Sequence, residues 1–265
     1  MLLIVTGTDA FHFSNLRILI GSWGAHMNRF PLAVCDYGMS AEQVEELRSI
    51  RGVEVLPIDE RVDHPWLGKA LLGKFLRRSN VKWEILMWLD ADACFTHPTP
   101  DIPPLLAGYD MLLDAHVQSV GEIAHACNRD ALGLRSDDAY YAAGWWVARR
   151  GCLLDNYEAF TRKVQGEGNL WEGDSFVAAI YRERLKIRNV SGSIWHCRGK
   201  TSLHSCQVEG LTPMHAGHPI YVLHANDGYT VTENGRRVFK RPELAAIQAH
   251  HEKEYFKMVA RPRQE

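Results

Sequence analysis

Short apolar runs alternate with amphipathic stretches through the first third of the chain, and the spacing predicts the elements. Leu2-Leu-Ile-Val-Thr6 reads as a buried strand that stops at Gly7, and Ser14 to Trp23 has helical spacing. Pro31 to Asp36 reads as a second strand. Ser40, with Gln43 three residues on, forms a capping box that opens a helix through Ile50. Val53 to Ile58 is a third strand and Leu67 to Arg78 a helix with a basic flank. Glu84-Ile-Leu-Met-Trp-Leu89 is a fourth strand, and it runs straight into Asp90. Strands alternating with helices at this spacing predict βαβ units, an α/β class and a mostly parallel central sheet flanked by helices.

The second half is less regular. Asp110 to Leu113 and Tyr140 to Ala148 have strand character, and Lys186 to Val190 and Ile220 to His224 read as shorter strands. Leu153 to Val164, Asp174 to Arg184 and Glu243 to Val259 are expected helices. Ser191 to Pro219 carries Gly, Ser, His and Cys with little periodicity and is expected to be loop. No linker composition divides the chain, so a single domain over 1–265 is expected.

Composition narrows this only in places. With 265 residues, 46% of them hydrophobic and 23% charged, the chain can bury a core without disulfides. A formal charge of −2 supplies no field toward nucleic acid or an anionic bilayer. Six scattered cysteines and no apolar run near the roughly 20 residues of a membrane span suggest reduced thiols and no transmembrane segment. Met1 to Val5 is too short and lacks the basic flank of a signal peptide. The expected compartment is the cytoplasm, with the mixed-charge terminal helix offering at most a peripheral contact with a membrane.

In an open parallel sheet, ligands bind beyond the carboxyl ends of the strands. Five such ends can be inspected: Thr6-Gly7-Thr8-Asp9, Asp36-Tyr37-Gly38, Asp90-Ala91-Asp92, Asp114-Ala115-His116 and His224-Ala225-Asn226-Asp227. Each carries a carboxylate. Asp90 and Asp92 share a face if the strand persists, and two carboxylates so close repel unless a cation sits between them. Mg²⁺ or Mn²⁺ takes oxygen ligands and keeps other positions for phosphate oxygens, which suits a nucleotide diphosphate. The alternative is a turn that happens to hold two Asp residues.

Taken in order, the segments resemble a glycosyltransferase-A fold nucleotide-sugar transferase, most similar to family 8 and related bacterial enzymes. Leu2 to Asp9 resembles the first strand, whose turn holds the base. Val34-Cys-Asp-Tyr-Gly-Met-Ser40 resembles the second strand, and Trp88 to Asp92 the D-x-D strand. Tyr140-Tyr-Ala-Ala-Gly-Trp-Trp146 resembles the strand lining the sugar pocket. Glu172-Gly-Asp-Ser-Phe176 sits where the family keeps an acid before a helix, and Tyr221-Val-Leu-His224 where a His completes the metal site. The family's H-x-x-G is one residue longer here, His224-Ala-Asn-Asp-Gly228, and no Lys follows closely; Arg236, Arg237 or Lys240 are the substitutes at hand.

The resemblance implies a metal-dependent transferase moving a sugar from a nucleotide-diphosphate sugar, UDP first, to a hydroxyl on a glycan, lipid-linked or small-molecule acceptor. Retention of configuration is favoured through the late His. It implies Mn²⁺ or Mg²⁺ on Asp90, Asp92 and His224, and Asp174 or Glu172 near the reacting carbon. Donor contacts are expected from Thr6, Gly7, Thr8, Asp9, Asp36, Lys74, Asp90 and Asp114, with Lys69 as the other candidate lysine. Residues 1–115 form the nucleotide half and 116–265 the acceptor half. Of Trp145 and Trp146, which face opposite sides of a strand, one is expected in the core and the other is open to stacking on a sugar. His196-Cys197 with His204-x-Cys206 is either a loop covering the acceptor or a zinc cluster. The rival functions are a nucleotidyltransferase of the same fold, a sugar-nucleotide or glycan-binding module without activity, and a metal phosphohydrolase.

Overall fold

The structure, a computed structural model, describes residues 1–58, 60, 62, 64–152, 154–166, 171–198, 203–225 and 230–261. Its first half is a run of βα units: β1 (Leu2–Thr8), α1 (Phe13–His26), β2 (Leu32–Asp36), α2 (Ala41–Arg48), β3 (Val53–Leu56), α3 (Pro65–Ala70), α4 (Leu72–Leu76) and β4 (Ile85–Leu89). β5 (Ala93–Phe95), α5 (Ile102–Leu105), β6 (Met111–Ser119), α6 (Val120–Ile123), α7 (Ala126–Leu132) and β7 (Ala139–Arg149) follow. Then come α8 (Leu154–Gly166), α9 (Glu172–Glu183), β8 (Ile187–Val190) and α10 (Gly192–Trp195). The remaining elements are β9 (Gln207–Glu209), β10 (Thr212–His215), β11 (His218–Pro219), β12 (Val222–His224), β13 (Thr230–Glu233), β14 (Arg236–Phe239) and a terminal helix, α11 (Pro242–Val259).

The central sheet has seven strands in the order β3-β2-β1-β4-β7-β6-β8. Every pairing in it is parallel except the two made by β7, which runs antiparallel to β4 and β6. The expected mostly parallel α/β architecture is therefore present. The reversal of β7 brings the start of that strand, Tyr140 to Gly144, beside the carboxyl end of β4. Side-chain alternation separates two cores. Leu3, Val5, Leu86 and Trp88 face α3, α8 and α9, while Leu2, Ile4, Ile85 and Met87 face α1 and α11.

Several expectations shift. The Ser40–Gln43 capping box forms with both reciprocal bonds. Leu67–Arg78 is two short helices with a break at Leu71, because Leu71 leaves helical backbone angles. The stretch expected as loop holds α10 and a three-stranded antiparallel meander, β9-β10-β11, in place of a featureless segment. Its strands are two to four residues long, too short to leave a periodic signal. Among the described residues, no helix is long and apolar enough to cross a membrane.

α11 packs on α1 so closely that a methyl at Gly21 would meet the His251 carbonyl oxygen at 1.9 Å. The His251 ring is 2% exposed and neither ring nitrogen has a hydrogen-bond partner. Burial, reinforced by His26 and His250, pushes its pKa down to about 3, with Glu254 opposing. A lowered folded pKa means the unfolded chain binds the proton more readily. The stabilisation is complete above the ordinary histidine value and is lost as pH falls from about 6.5 toward about 3. The melting midpoint should therefore fall by several degrees between about pH 6.5 and pH 5. His251→Leu should make that fall shallower by about 1.4 kcal/mol per pH unit. Thermal unfolding at stepped pH checks this; parallel curves for the two proteins would refute it.

Candidate active site

A cleft of about 610 Å³ opens at the carboxyl ends of β1 and β4, walled by the first residues of β7, the N-termini of α3 and α9, and β12. This is the size range of small-ligand pockets. At its floor β4 ends at Leu89, and Asp90-Ala91-Asp92 is a turn, closed by Ala93 N–H donating to the Asp90 carbonyl at 3.0 Å. The strand therefore does not persist, and alternation is not what brings the two carboxylates together. The turn leads into β5, which pairs antiparallel with β12 in the register His224↔Ala93. That pairing carries His224 to the turn: Nε2 lies 2.9 Å from Asp92 Oδ1 and 3.8 Å from Asp90 Oδ2.

One ligand atom from each of Asp90, Asp92 and His224 lies within 4.8 Å of the others, the single such group of three among the described residues. Two carboxylate oxygens and an imidazole nitrogen form a donor set for Mn²⁺ or Mg²⁺, with the cleft side left for other ligands. The residues thus fit a divalent ion. Gly144, on β7, is required here because a methyl would meet His224 Cε1 at 2.6 Å and Asp90 Oδ2 at 3.0 Å. Trp88 Nε1 donates to Asp90 Oδ1 at 2.8 Å and fixes that carboxylate.

Two cations already face the pair. Lys69, on α3 and 4% exposed, sits 2.8 Å from Asp90 Oδ1 and 2.9 Å from Glu172 Oε1. Burial works against its charge, but the Asp90 and Glu172 carboxylates outweigh it and raise its pKa above the ordinary lysine value. Arg237, on β14, donates from Nη1 to Asp92 Oδ2 at 2.9 Å. Burial would raise the Asp92 carboxyl, but His224 and then Arg237 hold it well below the ordinary carboxylate value. Asn15 on α1 fastens the β13–β14 hairpin. Its Nδ2 donates to the Gly235 carbonyl and its Oδ1 accepts from Arg237 N–H, both at 2.8 Å.

On the other wall, Gly7, Thr8 and Asp9 line the cleft together with His12 and Tyr37. Asp9 Oδ1 accepts the His12 backbone N–H at 2.8 Å and lies 2.8 Å from its Nδ1. The Asp9 bond raises His12 above the ordinary histidine value against the effect of burial. Trp66 and Trp171 stand edge to face at the rim, 5.0 Å between ring centroids, and both line the cleft.

Several sequence-named residues lie elsewhere. Thr6 is fully buried within β1. Asp36 accepts the Gly38 and Met39 N–H groups and caps its own turn. Lys74 pairs with Glu60 and Glu158 on the far side of the break at Leu71, so it does not reach the cleft. Asp114 is 4% exposed beneath His196 and Arg198, not on the cleft surface. Asp174 is fully buried and accepts from His125 N–H, Asn128 Nδ2 and Tyr140 OH, so it holds α7 and β7 to α9 while Glu172 faces the cleft. Trp145 and Trp146 do face opposite cores, and both are fully buried, which removes either as a stacking surface.

The zinc alternative also fails among the described residues. His196 points at His224, Cys197 is buried in a bridge to Leu223, and Cys206 takes bonds from Arg241 and to Leu203. Asn226 and Asp227, at the fifth strand end, lie outside the described residues. His12, Asn15, Trp66, Trp171, His196 and Arg198 line the cleft but went unnamed as donor or catalytic groups from sequence. His12 alone had a local signal, three residues after Asp9 at a helix entry.

No protein-family model matches the chain, and no curated protein matches its sequence. Solved structures do match. A galactosyltransferase, LgtC, in complex with donor and acceptor sugar analogues aligns over 99% of this chain and 98% of its own, at 12% identity and a TM-score of 0.57. The chain has the glycosyltransferase-A fold. An active-site mutant of LgtC aligns over 88% of this chain and 92% of its own at a TM-score of 0.56, again with 12% identity. WbbM, described as a bifunctional glycosyltransferase, matches at 0.58 and 12% identity; 99% of this chain covers 50% of that one.

Proposed function

We propose that the cleft transfers a sugar from a nucleotide-diphosphate sugar, a UDP-sugar first among candidates, to a hydroxyl acceptor, with Mn²⁺ or Mg²⁺ held by Asp90, Asp92 and His224. The convergence of those three side chains at the carboxyl edge of the sheet carries the reading. The shared fold with a galactosyltransferase supports it. Charge supports it too. Asp90, Asp92 and Glu172 against Lys69 and Arg237 leave one net negative charge, which a divalent ion would turn to one positive charge suited to a diphosphate.

When bound, the ion would neutralise charge developing on the leaving diphosphate. The chain's own residues divide the remaining work. Gly7, Thr8, Asp9 and His12 face the base and ribose. Arg237, aimed into the cleft from Asp92, would meet the diphosphate. Lys69 holds Glu172 toward the sugar, and Glu172 rather than buried Asp174 is the carboxylate available to the reacting carbon. Trp66 and Trp171 offer apolar faces to a sugar ring. Retention of configuration and the division into a nucleotide half and an acceptor half remain part of this reading.

A thermal-shift panel of UDP, GDP, CDP and dTDP, each with Mn²⁺ and with EDTA, tests it. A nucleotide at about a hundred times its Kd stabilises by about 2.7 kcal/mol, several degrees for a chain of this size. A shift with UDP that EDTA abolishes is expected. A shift that persists in EDTA would give the diphosphate to Lys69 and Arg237 without an ion. The absence of any shift would sink the donor site.

A further inference from the structure

Behind His224 lies a second buried histidine. His196 has no exposed surface, and its Nε2 is 2.8 Å from His224 Nδ1. The rings lie 28° apart in plane with centroids 4.9 Å apart. Trp145 covers His196 at 28° and 6.4 Å. Beyond it, His196 Nδ1 lies 3.4 Å from Asp114 Oδ2 without forming a hydrogen bond, and that oxygen accepts from Arg198 Nε at 3.1 Å. Gly192 makes room for that carboxylate, since a methyl there would meet Asp114 Oδ1 at 2.2 Å.

With both imidazoles unprotonated, as ion ligation by His224 requires, the pair shares one proton between Nε2 and Nδ1, so their tautomers are locked together. In one arrangement His224 donates its Nδ1–H to His196 Nε2. His196 then carries its own proton on Nδ1, toward Asp114, and His224 Nε2 presents a lone pair to the space between Asp90 and Asp92. In the other, His224 Nε2–H points at Asp92 and His196 turns a lone pair on the Asp114 carboxylate. Asp92, 2.9 Å from His224 Nε2, favours the second arrangement while no ion is bound, and Asp114 favours the first. An ion on Asp90 and Asp92 takes up the Asp92 oxygen, and only the first arrangement leaves His224 able to ligate it.

We propose that Asp114 and His196 are positioning residues that hold His224 in its Nδ1–H tautomer and thereby set the ion affinity of the site. The proposal rests on the reading of Asp90, Asp92 and His224 as ion ligands. It also accounts for Asp114, a carboxylate within β6 that the cleft surface does not use, and for His196, which makes no zinc cluster among the described residues.

The test is Mn²⁺ affinity without nucleotide, read from the free-Mn²⁺ electron paramagnetic resonance signal, for the wild type, Asp114→Asn, His196→Leu and His196→Gln. An Asn at 114 can donate to His196 Nδ1 and reverse the chain, so Asp114→Asn and His196→Leu should each bind about 10- to 100-fold more weakly. His196→Gln, whose carbonyl oxygen can accept the His224 Nδ1–H, should recover most of the affinity. Should a variant fail to fold, ¹⁵N chemical shifts in the Mg²⁺-loaded wild type report the same thing, with His196 expected to carry its proton on Nδ1. Wild-type-like Mn²⁺ binding by Asp114→Asn and His196→Leu, or a proton on His196 Nε2 in the loaded wild type, would overturn the proposal. A wild type that binds no Mn²⁺ would instead remove the ion site itself, and this inference with it.

Discussion

Asp92→Asn should cut sugar transfer by about a thousandfold, or about 4 kcal/mol of transition-state stabilisation. The substitution keeps the side-chain volume but removes the charge that His224 and Arg237 both face at 2.9 Å. Without that charge an ion keeps one of its two carboxylate ligands and at best a weaker amide oxygen from position 92, and Arg237 loses the partner that aims it into the cleft. Asp92 lies in a turn at the floor of the cleft rather than in either core, but Asn leaves Arg237 and His224 without their charge partner, so the melting midpoint in EDTA should fall by several degrees. Turnover measured across a Mn²⁺ titration, beside melting in EDTA, separates the effects. His224→Ala should weaken the Mn²⁺ dependence less. Near-normal turnover and an unchanged Mn²⁺ titration in Asp92→Asn would take this carboxylate out of the ion's shell.

What could be read in the sequence followed from local physics. The apolar runs of β1, β2 and β4 and the Ser40 cap are properties of a few neighbouring residues, and each formed close to its expected bounds. Asp90 and Asp92 were visible because they end the most apolar strand. His224 was visible because it ends a short apolar run, although the contact that matters, β12 with β5, spans over a hundred residues of chain.

The partners of those residues were not visible, for the same reason. Lys69 meets Glu172 across 103 residues and Arg237 meets Asp92 across 145. Nothing near either residue in sequence signals the pairing. Lys69 and Lys74 looked equivalent on one continuous helix, and the break at Leu71 sends one into the cleft and the other to Glu60 and Glu158. Asp174 and Glu172 were both candidates from sequence, and α9 begins two residues earlier than expected. At about 100° per residue, positions two apart face nearly opposite ways, so Glu172 lines the cleft and Asp174 is buried. The meander left no signal because its strands are two to four residues long, and the His196–His224 contact none because it joins positions 28 residues apart in the less periodic half.

Lys69→Met carries the largest expected effect on stability. Lys69 is almost wholly buried between Asp90 and Glu172, whose side chains are 23% and 12% exposed. Removing one partner of a buried ion pair leaves uncompensated charge and costs about 3–5 kcal/mol. At about 2–4 °C per kcal/mol for a chain of this size, the midpoint in EDTA should fall by about 6–20 °C. Lys69→Arg is no rescue, because a guanidinium in the same buried space is overpacked. Two additions should each restore part of the loss. Mn²⁺ would neutralise the Asp90 side, and a second change, Glu172→Leu, would remove the other carboxylate, so the double variant should melt above Lys69→Met alone. If Lys69→Met melts within about a degree of the wild type, the ion pairs contribute nothing and the charge balance argued for the cleft is wrong. If instead Mn²⁺ stabilises Lys69→Met more than it stabilises the wild type, the lysine and the ion are competing for the same carboxylate. Lys69 would then keep the empty cleft folded, and the affinity of the site would depend on how readily that lysine shares Asp90.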